Sequence, residues 1–179
     1  GPAHIHDRYR LDRGGVPTHK RVETNARMLL DNDVATNVLC CLTDYSVNYP
    51  EELYNYFKSL GFTWMQFIPI VETDPNDPTK AASYSVSARK YGEFLTRIFD
   101  LWFADFKNGQ PTTSVRHFES VFHTYVGMEA PECTMMKECG PYVVVEHNGN
   151  VYSCDFFVEP KWKLGNIMTS RLSTMLNSK

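Results

Sequence analysis

The 179-residue sequence has no stretch approaching the roughly 20 apolar residues that cross a bilayer, so no membrane partner is expected. It shows no cationic start followed by an apolar block, and therefore no secretion signal. It lacks any dense run of lysine or arginine. With a formal net charge of −3 and a pI near 6.1, nothing electrostatic draws it to nucleic acid. An even cysteine count is missing too. Five cysteines would leave one over in a disulfide framework, and a chain of this length does not need such staples. Reduced cysteines in a cytoplasmic protein, some of them ligating metal, fit better. Internal repeats and low-complexity tracts are absent.

What is present suffices for a sizeable core, with 42% apolar and 13% aromatic residues. The spacing of Val22, Ala26, Leu29 and Leu30 predicts a helix over 18–32 with Thr18 as its cap. VATNVLCCL, 34–42, reads as a buried strand. A second helix is expected over 50–60, with Pro50 in its first turn, Glu51 and Glu52 at the positive end of its dipole, and Gly61 as a stop. TWMQFIPIV, 63–71, reads as the next strand. Strand, helix and strand within about 40 residues predict a βαβ unit and a parallel sheet. The proline-rich ETDPNDPTKAAS is expected to be a loop. Further helices are predicted over 87–107 and 114–126, then a loop over 127–141. His147-Asn148-Gly149-Asn150 signals a hairpin between 142–146 and 151–154. A last helix is expected over 168–177.

The residues with the clearest chemistry are Cys133, Cys139 and Cys154, spaced Cys-x5-Cys-x14-Cys. Two precede the hairpin and one ends it, so their thiolates can converge on one centre. Cys133 and Cys139 fall in a polar loop where core cysteines are not expected. Zinc wants a fourth ligand and often a Cys-x2-Cys knuckle, and an iron–sulfur cluster also wants four ligands. Iron–sulfur, zinc and three metal-free thiols all stay open on spacing alone. Cys40 and Cys41, adjacent on a strand, point to opposite faces and read as small core fillers. Asp155, followed by Phe156 and Phe157, is a candidate general base or an ordinary strand-end aspartate. His4, His6 and Asp7 read as polar loop residues. Arg10 offers a planar fork for an anionic ligand. Gln66 and Glu72 lie at or near the end of the second strand, where parallel sheets gather ligand contacts, and are candidates for substrate binding.

Taken together, GPAHIHDRYR, NVLCCLTDYSVNYPEELYNYFKSLG, MQFIPIVE and CGPYVVVEHNGNVYSCDFF resemble the anaerobic sulfatase-maturating enzymes, radical SAM enzymes with a SPASM auxiliary-cluster domain. The resemblance covers nearly the whole chain. It implies an α/β fold: the C-terminal part of a partial (β/α)6 barrel over 1–126, then the β-hairpin start of a SPASM domain over 127–179. It implies 4Fe–4S clusters and S-adenosylmethionine as cofactors. The deoxyadenosyl radical of that family takes a hydrogen from the Cβ of a Cys or Ser in a sulfatase peptide, and formylglycine results. An electron donor such as flavodoxin or ferredoxin is implied as a partner.

By the same resemblance, Cys133, Cys139 and Cys154 match three of four ligands of the first auxiliary cluster. Asp155 matches the base and Arg10 the arginine that contacts S-adenosylmethionine. The sequence departs from the family in having no Cys-x3-Cys-x2-Cys motif, no fourth ligand and no second ligand set. It is therefore expected to be an internal stretch of a longer protein, inactive alone. Two other functions stand beside this one: a maturase of another peptide, and a non-catalytic, metal-stabilised peptide-binding module.

Overall fold

The computed structural model describes residues 1–139 and 142–177. The chain is a mixed α/β protein of two compact units, Gly1–Glu132 and Cys133–Lys179.

In the first unit the apolar spacing builds a parallel sheet backed by helices. Strands β1 (Val38–Leu42) and β2 (Trp64–Pro69) pair in parallel, Leu39 beside Gln66 and Cys41 beside Ile68. Helix α3 (Pro50–Ser59) connects them. Pro50 sits in its first turn with Glu51 and Glu52, and Gly61, at φ 96°, ends the segment. Leu53, Tyr54 and Phe57 are its buried stripe. Helix α4 (Ala88–Ala104), capped by the Ser87 side chain accepting from the Lys90 N–H, carries Phe94 and Ile98 into the same core. The Tyr54 hydroxyl donates to Asp105 at 2.9 Å and Lys58 pairs with the same carboxylate, tying α3 to the end of α4. Along β2, Met65 and Phe67 are buried while Trp64 is exposed and Gln66 and Ile68 are half-buried. The period of two thus gives the sheet one face packed on helices and one open face.

Several expectations need correction. A four-residue helix, α1 (Ala3–His6), precedes α2 (His19–Asp31). Val22 and Leu29 of α2 are exposed, while Ala26 and Leu30 pack on the core. Thr18 occupies the cap position, but its side chain makes no cap bond. Asp7 does that work from a distance: its Oδ1 accepts the N–H groups of Thr18 at 3.0 Å and His19 at 2.8 Å. β1 starts at Val38 rather than at residue 34. The proline-rich segment is a hairpin, β3 (Thr73–Asp74) with β4 (Asp77–Ala81), because the Asp74 carboxylate accepts the Asn76 N–H at 2.8 Å and turns the chain. Ser114 and Val115 form β5, the third parallel strand, before helix α5 (Arg116–Tyr125) begins.

The second unit is an antiparallel sheet of β6 (Val144–Val145), β7 (Asn150–Tyr152) and β8 (Lys163–Asn166), with α6 (Leu172–Leu176). β8 was not foreseen, and the last helix is shorter than the expected 168–177. Gly149 sits at φ 81° in the β6–β7 turn, where a Cβ would stand 3.0 Å from Asn166 Oδ1. Asn166 Nδ2 donates to Asn148 O at 3.1 Å and Asn150 Oδ1 at 3.0 Å, binding β8 to that turn. Of the loop expected over 127–141, Gly140 and Pro141 lie outside the described residues; Cys133–Met135 forms a 3₁₀ turn.

Candidate metal centre

Cys154 follows β7 in extended backbone, and its buried sulfur begins a 3₁₀ turn, Asp155–Phe157, by accepting the Phe156 N–H at 3.5 Å. Val144 pairs with Tyr152 and Val145 with Val151, so two further steps of the same register set Tyr142 across from Cys154. Accordingly, the Tyr142 hydroxyl lies 3.5 Å from Cys154 Sγ, and it also lies 3.3 Å from Cys133 Sγ. One hydroxyl therefore spans both sulfurs. Hydrogen bonding with Cys133, and next with Cys154, raises the Tyr142 phenol above its ordinary value, because those bonds hold the neutral hydroxyl. The Cys154 thiol also donates to Asp155 Oδ1 at 3.3 Å.

Of the three cysteines singled out by spacing, two come together. Cys139 is exposed, and among the described residues no three His, Cys, Asp or Glu side chains gather closely enough to hold a metal ion. His147 is 90% exposed beside Glu146 and takes no part. Asp155 is exposed, and the neighbouring Phe156 and Phe157 are exposed too, so no apolar pocket surrounds that carboxylate. The donor chemistry nevertheless suits a thiolate-held group. Two sulfurs face one hydroxyl, and one of them also receives a backbone N–H, which is how proteins steady anionic sulfur.

In the first unit, Arg10 is exposed at the mouth of a cavity of about 550 Å3, whose wall includes His6, Tyr9, His19, Glu23 and the β1 residues Leu39 and Cys40. Its backbone is fixed: Arg10 O accepts the Thr18 hydroxyl at 2.5 Å. Since Thr18 spends its proton there, His6 Nε2, 3.0 Å away, must donate to Thr18. Burial lowers the His6 pKa and favours that neutral ring. His19 Nε2 meets the Tyr56 hydroxyl at 2.8 Å, and Tyr56 donates to Glu23 at 2.9 Å. Gln66 lies on the open sheet face beside Leu39. Glu72 is exposed, and its backbone is pinned by Ser85 and Ala82. Cys40 and Cys41 point to opposite faces, and burial pushes the Cys40 thiol up to about 12 while Cys41 is exposed.

Sequence reasoning passed over Tyr142 and read Asp7 only as a polar loop residue, missing its cap on α2. Tyr142 was legible in the hairpin register once the Asn-Gly turn was placed. Asp7 carried no local signal, because its helix starts 12 residues later.

Among the described residues no helix is long and apolar enough to cross a membrane. Residues 133–179 match the SPASM family, an iron-sulfur cluster-binding domain. The chain is 35% identical over 179 residues to a cysteine-type anaerobic sulfatase-maturating enzyme of Clostridium novyi, covering 99% of this chain and 47% of that protein. It is 36% identical over 191 residues to a serine-type enzyme of Bacteroides thetaiotaomicron, covering 99% and 45%. It therefore spans about half the length of the curated relatives it matches, and overall identity does not separate the two types. The solved structure of native anSMEcpe with bound AdoMet and Cp18Cys peptide superposes with a TM-score of 0.84 at 33% identity, over 100% of this chain and 49% of that one.

Proposed function

We propose that this chain, a relative of the anaerobic sulfatase-maturating enzymes along its whole length, is part of a radical SAM oxidoreductase that converts a Cys or Ser of a sulfatase to formylglycine. The observation that carries this reading is the likeness over 99% of the chain to enzymes of that name, one of which is solved with AdoMet and a peptide. Residues 1–126 would form part of a partial (β/α)6 barrel, supported by three parallel strands alternating with helices. Residues 127–179 would begin the SPASM domain, supported by the antiparallel sheet and the family match.

In this reading Cys133, Cys139 and Cys154 hold a 4Fe–4S cluster, with Cys139 brought in from its exposed position when the cluster binds. Arg10 faces S-adenosylmethionine, and Gln66 and Glu72 face the peptide. Bound S-adenosylmethionine, reduced through its own cluster, supplies hydrogen-atom abstraction at the substrate Cβ. Asp155, an exposed carboxylate, would accept the proton that the substrate thiol or hydroxyl must also lose, while the electron left on the substrate radical would pass to the iron–sulfur centre that the cysteines hold. An electron donor of the flavodoxin or ferredoxin kind feeds the reaction. Free cysteines throughout the described chain support a reducing, cytoplasmic setting.

Asp155→Asn in the full-length protein tests the assignment, because the amide keeps the shape but cannot take a proton. Formylglycine yield by mass spectrometry should fall by about 10²-fold or more, while 5′-deoxyadenosine still forms. Wild-type yield would remove Asp155 from the chemistry.

A further inference from the structure

We propose that the Tyr142 hydroxyl donates its one proton to a cysteine sulfur of an iron–sulfur centre held by Cys133 and Cys154, and that it raises the reduction potential of that centre. The inference rests on the reading that these two cysteines hold such a centre.

The hydroxyl is 3.3 Å from one sulfur and 3.5 Å from the other, both within hydrogen-bond reach of sulfur. Its position follows from the strand ladder, because the pairing of Val144 with Tyr152 carries on to set Tyr142 opposite Cys154. Tyr142 is 41% exposed, so its ring is not a core filler whose bulk alone explains the residue.

The chemistry then fixes the direction of the bond. Between a thiol and a phenol either partner can donate. A metal-bound thiolate has no proton, so the phenol must donate. The present bond from the Cys154 thiol to Asp155 is lost for the same reason, since sulfur and carboxylate are then both acceptors. The Tyr142 hydroxyl and the Phe156 N–H remain as the donors aimed at Cys154. Hydrogen bonds to cluster sulfurs are one of the levers that set cluster potentials. A donor withdraws electron density and favours the more negative, reduced state. Tyr142 is thus a positioning and tuning residue, acting through the two cysteines and not on substrate.

The test uses the anaerobically reconstituted full-length protein. Cys133→Ala and Cys154→Ala identify the centre by the iron and the spectroscopic signal they remove. Tyr142→Phe should then leave iron content unchanged and shift the potential of that signal to a more negative value in an EPR-monitored redox titration. Trifluorotyrosine at position 142, a more acidic phenol and a stronger donor, should shift it the other way. Equal potentials at equal iron content would overturn the inference and leave the site reading intact. Reduced iron content with an unchanged potential would make Tyr142 a structural support only, which also overturns it. Cysteine variants that lose no iron would remove the site reading, and the inference with it.

Discussion

Asp7→Ala tests whether a single carboxylate fixes both α2 and the Arg10 turn. Asp7 Oδ1 accepts the N–H groups of Thr18 and His19, at 3.0 and 2.8 Å, which are two of the four donors a helix start leaves unpaired. Replacing a capping side chain with alanine costs about 1 kcal/mol, reaching about 2 in proteins. Here one charged oxygen serves two donors, which raises the value, and the half-buried site lets water recover part of it. A loss of about 2 kcal/mol is expected, as a lower urea midpoint at unchanged slope. Asp7→Asn keeps the acceptor but not the charge that complements the helix dipole, and should lose about half as much. Hydrogen exchange should show the loss first in the opening turn of α2. Because Thr18 in turn holds the Arg10 carbonyl, the proposed contact of Arg10 with S-adenosylmethionine predicts that AdoMet affinity of the full-length protein falls with the same variant. A change below about 0.5 kcal/mol for Asp7→Ala would refute the argument, since even a minimal N-cap is worth that much.

Gly149→Ala should destabilise the unit Cys133–Lys179 by about 1–3 kcal/mol, because it strains a residue at φ 81° and drives a Cβ to within 3.0 Å of Asn166 Oδ1. Thermal unfolding of the variant checks this, and an unchanged midpoint counts against it. The Cys40 thiol, pushed from 9.0 to about 12 by burial, holds its proton longer folded than unfolded. Its contribution to stability is therefore complete below pH 9.0 and is lost as pH rises toward about 12, and Cys40→Ala should flatten that alkaline limb. At about pH 8, iodoacetamide should label exposed Cys41 well before Cys40 in the native chain, because the thiolate is the reactive form.

The elements that the sequence announced are those whose signal is local and repeated. Helix α3 carries its proline, its acidic first turn and its stop glycine within 12 residues, and it forms over Pro50–Ser59 against an expectation of 50–60. The parallel pairing of β1 and β2 followed from one helix between two apolar runs. What was missed lacked such a pattern. β5 is two residues long and fused to α5, so its strand character depends on a neighbour, β2, and not on its own composition. β8 contains Gly165 in a four-residue strand, LGN after a lysine, which composition reads as a turn. The β3–β4 hairpin was hidden by its prolines, although Asp74 and Asp77 supplied the side-chain turns that fold it.

The candidate centre shows the same division between near and far. The turn at Asn148-Gly149 was explicit in the sequence, and it fixes more than a turn. It sets which residues face each other, and hence that a tyrosine hydroxyl reaches the sulfur of Cys154. Cys133 reaches the same hydroxyl from outside the strand ladder, through a 3₁₀ turn that no periodicity predicts. Cys139 is neither on the ladder nor in that turn, and it is exposed. The ladder and that turn thus bring two sulfurs to one hydroxyl, and in the proposed reading the third thiolate is drawn in by the group that needs it. Binding the proposed metal centre would then supply folding free energy to the part of the unit that the strands leave unconstrained.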